Sequence, residues 1–105
     1  MEVIRVSSKQ WPATYINEVK AKLASSNSVE LHALEGGIYT AVKAADSLIS
    51  YGYVTLAKFE TSLLEEEGST GKFKGITKVN IRLEKTANFE QLRQDFEKNK
   101  PVRTD

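Results

Sequence analysis

The chain has 105 residues, with 15 Lys and Arg against 14 Asp and Glu, so its formal charge is +1; at well under the roughly 150 residues of an average domain, it has room for one folded unit and no separate regulatory module. With 40% apolar and 28% charged residues it can fill a core, which excludes wholesale disorder. The absence of Cys excludes disulfide scaffolds, thiolate metal sites and cysteine nucleophiles, and near-neutrality means that a polyanion must be met by local placement of cations.

Residues 3–8 are rich in β-branched side chains, with Ile4 and Val6 on one face and Arg5 on the other, and predict a first strand. A polar break over 7–12 ends at Pro12, which suits the first turn of a helix because its missing N–H would have no partner there. Tyr15, Ile16, Val19 and Leu23 then recur at helical spacing, predicting a helix over 12–24 closed by Ser25, Ser26 and Asn27. Val29, Leu31 and Ala33 alternate with Glu30 and His32, a second strand with His32 on its polar side. Glu35, Gly36 and Gly37 break that pattern. Ile38, Ala41, Val42, Ala45, Leu48 and Ile49 form a helical stripe that stops at Gly52, a residue suited to a left-handed terminus.

From 53 to 64 the chain reads as a strand whose apolar phase slips between Leu56 and Ala57, which calls for a bulge or a strand buried on both faces. Residues 65–75, with three glycines and mixed charge, predict the loop of a long hairpin, and 76–83 the returning strand, with Val79, Ile81 and Leu83 alternating against Lys78, Asn80 and Arg82. Asn88 with Gln91 three residues on has the spacing of a capping pair for a final helix carrying Phe89, Leu92 and Phe96, ended before Pro101, with a frayed tail from Lys98 onward. The order strand, helix, strand, helix, strand, strand implies an α/β two-layer sandwich: a mixed four-stranded sheet with both helices on one face, the other face partly open, and a short C-terminal helix. Residues 1–86 form the expected domain and 87–105 a C-terminal extension.

The turn Ser7-Ser8-Lys9 ahead of a helix gathers hydroxyls, backbone N–H groups and a cation at the positive end of a dipole, which suits a phosphate; the plainer reading is that such serines cap and such lysines solubilise. Trp11 has two readings as well: a platform for an unpaired base, or a staple onto Tyr15 or Ile16. Residues 60–67 carry Glu60, Glu65, Glu66 and Glu67 without a cation, whereas 68–85 carry Lys72, Lys74, Lys78, Arg82 and Lys85 against Glu84. Cross-strand ion pairs would use these charges structurally, and a tip presenting Lys72, Phe73 and Lys74 to a nucleic-acid backbone would use them functionally. Residues 68–72 fall short of a phosphate-binding loop, since the glycines are too close and Phe73 stands where a hydroxyl is required. A single His without a ligand cluster makes no metal site, and solvated pairs such as Glu65 and Glu66 have nothing to raise one carboxyl for acid catalysis.

Ile4-Arg5-Val6-Ser7-Ser8-Lys9, Tyr15-Ile16, Val29-Glu30-Leu31-His32-Ala33-Leu34, Gly37-Ile38 with Ala41, Val42 and Ala45, and Glu60-Thr61 together resemble the Alba family, in order and spacing, over residues 3–83. The Val-Ser-Ser-Lys form is more similar to eukaryotic members than to archaeal chromatin proteins. The resemblance implies a non-enzymatic, cofactor-free and metal-free domain that dimerises with itself or a paralogue and binds RNA, or RNA and DNA, with low sequence specificity. It implies phosphate contact by Lys9, with Gln10 standing where a second basic residue is common. The site expected on this basis is Ser7, Ser8, Lys9, Gln10, Trp11, Lys72, Phe73 and Lys74. Glu35, in a turn that is often basic in the family, argues against tight DNA coating. The alternative is a protein-interaction subunit of a ribonucleoprotein with little nucleic-acid affinity of its own. No apolar run approaches the roughly 18 residues of a membrane span, and the expected location is cytoplasmic or nuclear.

Overall fold

The computed structural model describes residues 2–67 and 73–98, of which 65–67, 73–74 and 96–98 are described as backbone alone. The elements run β1 (Glu2–Val6), α1 (Pro12–Leu23), β2 (Ser28–Leu34), a 3-10 turn (Glu35–Gly37), α2 (Ile38–Ser50), β3 (Val54–Glu67), β4 (Phe73–Lys85) and α3 (Phe89–Lys98). The strands form one mixed sheet in the order β1-β2-β4-β3. β1 lies parallel to β2 through the α1 crossover, and β4 is antiparallel to both neighbours. This is the expected two-layer sandwich. Among the described residues, no helix is long and apolar enough to cross a membrane.

Alternation sorts the side chains between the two layers. Ile4, Val6, Val29, Leu31, Ala33, Val79, Ile81 and Leu83 bury one sheet face against Tyr15, Val19 and Leu23 of α1 and Ala41, Ala44, Ala45 and Leu48 of α2. Each Leu or Ile so enclosed contributes about 1.5–3 kcal/mol relative to leaving it in water. The opposite sheet face carries rows fixed by register: Val3, Glu30, Arg82 and Lys58; then Arg5, His32, Asn80 and Glu60; then Leu34, Lys78 and Ser62.

β1 ends at Val6, two residues before the expected boundary, because Tyr15 takes over the next backbone group: its buried hydroxyl accepts the Ser7 N–H at 2.9 Å. α1 begins at Pro12 as expected, with Trp11 in an extended conformation before it. α2 ends in a Schellman arrangement, with Tyr53 N–H donating to Leu48 O at 3.1 Å and Gly52 N–H to Ile49 O at 3.0 Å, which places Gly52 at φ +86°. The phase slip in β3 is a bulge between Leu56 and Lys58. It keeps Leu56, Phe59, Thr61 and Leu63 all on the helix side of the sheet.

Most of the segment expected to be a hairpin loop is strand. β3 runs to Glu67 and β4 starts at Phe73, and residues 73–77 pair with β3 alone, beyond the end of β2. The molecule is therefore a sandwich with a two-stranded arm, and its radius of gyration of 16.4 Å exceeds the roughly 13 Å of a compact chain this long. At the far end, α3 inserts Phe89, fully buried, edge-to-face on Tyr53 at 5.7 Å. Thr86 donates its hydroxyl to Gly52 O at 2.8 Å. The expected capping pair is not formed: Gln91 Nε2 donates to Asp95 at 3.0 Å instead. The residues beyond 98 lie outside the described part.

Candidate nucleic-acid interface

β1 and β2 run in the same direction and end side by side at Val6 and Ala33, so the segments that follow them share one end of the sheet. The contact between those segments is close. A Cβ on Gly37 would lie 2.4 Å from Val6 O, and one on Gly36 would meet Ser8 Oγ at 3.7 Å. Gly37 thus lets the 3-10 turn sit directly against the Ser7-Ser8 turn, whereas at Gly36 a Cβ would make only an ordinary contact. The β3–β4 arm extends past β2 at this same end, since Leu34, the last residue of β2, pairs with Lys78.

The turn itself is exposed over residues 7–11 and brings Ser7, Ser8, Lys9, Gln10 and Trp11 together. Ser7 is partly committed: its N–H is held by Tyr15, and its Oγ accepts the Lys9 N–H at 3.3 Å. No serine caps α1, because the residue before the helix is Trp11 and no side-chain cap bond forms. Ser8 Oγ and Lys9 Nζ have no hydrogen-bond or ion-pair partner among the described residues. Trp11 is 81% exposed, so the reading in which it staples onto Tyr15 or Ile16 is not what the structure adopts. Of the expected tip residues, Lys72 lies outside the described residues. Phe73 and Lys74 open β4 opposite Glu67 and Glu66, with their side chains outside the described part.

Beside this turn, the open sheet face holds a cavity of about 470 Å³ lined by Arg5, Ser7, Ser8, His32, Leu34, Leu64 and Lys78, with Val6, Ala33 and Gly37 completing its wall. None of its lining residues is a carboxylate. Sequence reasoning missed Arg5, His32, Leu34, Leu64 and Lys78 as a group. Alternation already placed Arg5, His32 and Lys78 opposite core positions, but their proximity needs the pairings Arg5 with His32 and Leu34 with Lys78. Arg5 and Lys78 make no ion pair among the described residues.

The nearby carboxylates are occupied elsewhere. Glu30 Oε1 lies 2.8 Å from His32 Nε2; that hydrogen bond, helped by the charges of His32, Arg82 and Lys58, holds the Glu30 carboxyl below its ordinary range against the opposing effect of burial. Glu60 pairs with Lys58 on its own strand at 2.8 Å rather than across to β4, and it raises the Lys58 ammonium. Glu35 Oε1 accepts the Thr77 N–H at 3.4 Å, which ties the acidic turn to the root of the arm. Asn80 Oδ1 and Arg82 Nε are enclosed on this face without a hydrogen-bond partner among the described residues. Among the described residues, no group of three His, Asp or Glu is arranged to hold a metal ion.

Solved structures share this architecture. Alba1 from Trypanosoma brucei superposes with a TM-score of 0.78 at 22% identity, covering 92% of this chain and 80% of the other. Alba from Thermoplasma volcanium does so at 0.67 and 17% identity, covering 80% of this chain and all of the other. The chain has the Alba fold. No family model matches it, and no curated protein does either. On that fold this chain carries Lys9 and Trp11 in the turn after β1 and Glu35 in the turn after β2.

Proposed function

We propose that the protein is a non-enzymatic RNA-binding protein, able to take DNA as well, that acts as a dimer with little sequence preference. The observation that carries this reading is the convergence at one end of the sheet of Arg5, Lys9 and Lys78, none with an ion-pair partner among the described residues, beside the exposed Trp11. Unpaired cations with an aromatic platform are what a phosphate backbone with accessible bases requires. The Alba fold supports the reading by placing the turn and the arm on one side.

Dimerisation is supported by apolar surface with nothing to cover it. Tyr39, Val42 and Ile49 on the outward flank of α2, and Leu56, Phe59 and Leu63 on the helix side of β3, are all exposed. A monomer has little reason to leave such a surface open. A second copy is the occupant that also doubles the cations one copy lacks. The same surface favours the alternative, a protein-interaction subunit, which predicts no gel shift even at low salt.

The test is the affinity for a single-stranded RNA oligonucleotide as salt is varied. With about 2 to 4 phosphates neutralised per dimer, log K falls against log salt with a slope between about −1.4 and −2.8. Lys9→Glu removes two of those contacts and makes the slope shallower by roughly 1.4. An unchanged slope removes Lys9 from the site, and no binding by the unaltered protein in dilute buffer overturns the nucleic-acid reading.

A further inference from the structure

We infer that the open-face cavity receives one unpaired nucleotide of the bound strand, base and phosphate together, so that the protein holds single-stranded stretches in preference to continuous duplex. The inference rests on the nucleic-acid reading above and names the form of nucleic acid and the residues that select it.

The cavity has the size and lining that such a group needs. Its volume of about 470 Å³ lies within the roughly 300–1,000 Å³ of pockets that enclose a small molecule. Leu34 and Leu64 are both exposed at its rim and offer apolar surface to the face of a base. Arg5 and Lys78 supply charge to a phosphate, and the Ser7 and Ser8 hydroxyls and the His32 ring offer hydrogen bonds to phosphate or base edge. Glu30 and Glu60 stand on the same face but pair with His32 and Lys58, and neither forms an ion pair with Arg5 or Lys78. Ser7 and Ser8 belong both to the cavity wall and to the turn bearing Lys9 and Trp11, so a strand leaving the cavity passes directly to that lysine and indole. A duplex keeps its bases stacked inside and has only its backbone to offer, which the exposed turn accepts and the cavity does not.

The experiment compares the unaltered protein with Arg5→Ala/Lys78→Ala, both removing side chains that have no ion-pair partner among the described residues, after thermal melts have matched the two. Fluorescence anisotropy is read with a 12-nucleotide single-stranded RNA and a 12-base-pair duplex, alongside titrations of inorganic phosphate and of a nucleoside monophosphate. Backbone amide shifts at Ala33, Leu34 and Leu64 report occupancy of the unaltered protein directly. The expected result is a loss of roughly tenfold or more in single-strand affinity, corresponding to at least one lost charge-assisted contact, with a several-fold smaller loss for the duplex, which loses charge but no cavity contact, and the three amides shifted by the single strand and not by the duplex. Equal losses for both nucleic acids, or none, overturn the cavity as a nucleotide site while leaving the nucleic-acid reading intact. Occupancy by the monophosphate or phosphate with no response to the oligonucleotide also overturns it and makes this a small-anion site. Failure of the unaltered protein to bind either nucleic acid overturns the underlying reading itself.

Discussion

Tyr15 does two jobs with one side chain: its ring fills the core under β1 and its hydroxyl ends that strand by accepting the Ser7 N–H. Tyr15→Phe keeps the packing and loses the bond, so stability falls by about 1 kcal/mol in urea unfolding, with a looser Ser7-Ser8 turn. Glu30 gives a pH-dependent counterpart. Its carboxyl is held below its ordinary value, first by the His32 hydrogen bond, so the unfolded state binds the proton at higher pH than the folded state does. The stability this contributes is present above the unfolded value and is lost as pH falls from there through the lower folded value. Denaturant unfolding at pH 7 and pH 3 therefore shows an acid-side loss in the unaltered protein that is smaller in Glu30→Gln. At this scale the exposed turn that carries Lys9 and Trp11 is legible, since Ser-Ser-Lys before Pro12 marks a polar break locally. The partnership of Arg5, His32 and Lys78 is not, because it depends on which residue of one strand faces which residue of the next.

Among the elements, the ends of the helices explain most of the architecture beneath the site. Gly52 at φ +86° closes α2, and Gly52→Ala costs about 1–2 kcal/mol in thermal or chemical unfolding because a Cβ is poorly tolerated in that conformation. Phe89 anchors α3 against Tyr53 with no exposed surface. Phe89→Ala costs roughly 3–5 kcal/mol, measured by the same unfolding, and loosens the end of the sandwich remote from the site. Both helices of the sandwich are readable from periodicity, and so is the phase slip in β3; that slip left a bulge and a strand buried on both faces open, and the pairing decides for the bulge. The length of the arm is not readable in this way. Residues 65–75 have the glycines and charges of a loop, but once the bulge has set the register, backbone pairing continues outward to Glu67 and Phe73 whatever the side-chain composition. The Asn88 and Gln91 spacing misled for a similar reason, since Asp95 one turn further on offers Gln91 a charged acceptor.

For the molecule as a whole, near-neutral charge and an uncovered apolar flank point the same way. A single copy has few cations at its site end and an apolar surface left uncovered among the described residues; the proposed pairing of two copies would cover that surface and set two site ends on one particle. Phe59 is half exposed in the middle of this flank, so Phe59→Asp is expected to give a monomer with markedly weaker RNA binding and an unchanged fold by circular dichroism. The most direct test of the central claim, that pairing of two chains assembles the polyanion-binding surface, is the sedimentation mass in dilute buffer with and without a 12-nucleotide single-stranded RNA. The account predicts twice the 11.7 kDa chain mass for the free protein and one further oligonucleotide mass on addition of RNA. A species of one chain whose mass does not respond to RNA contradicts it.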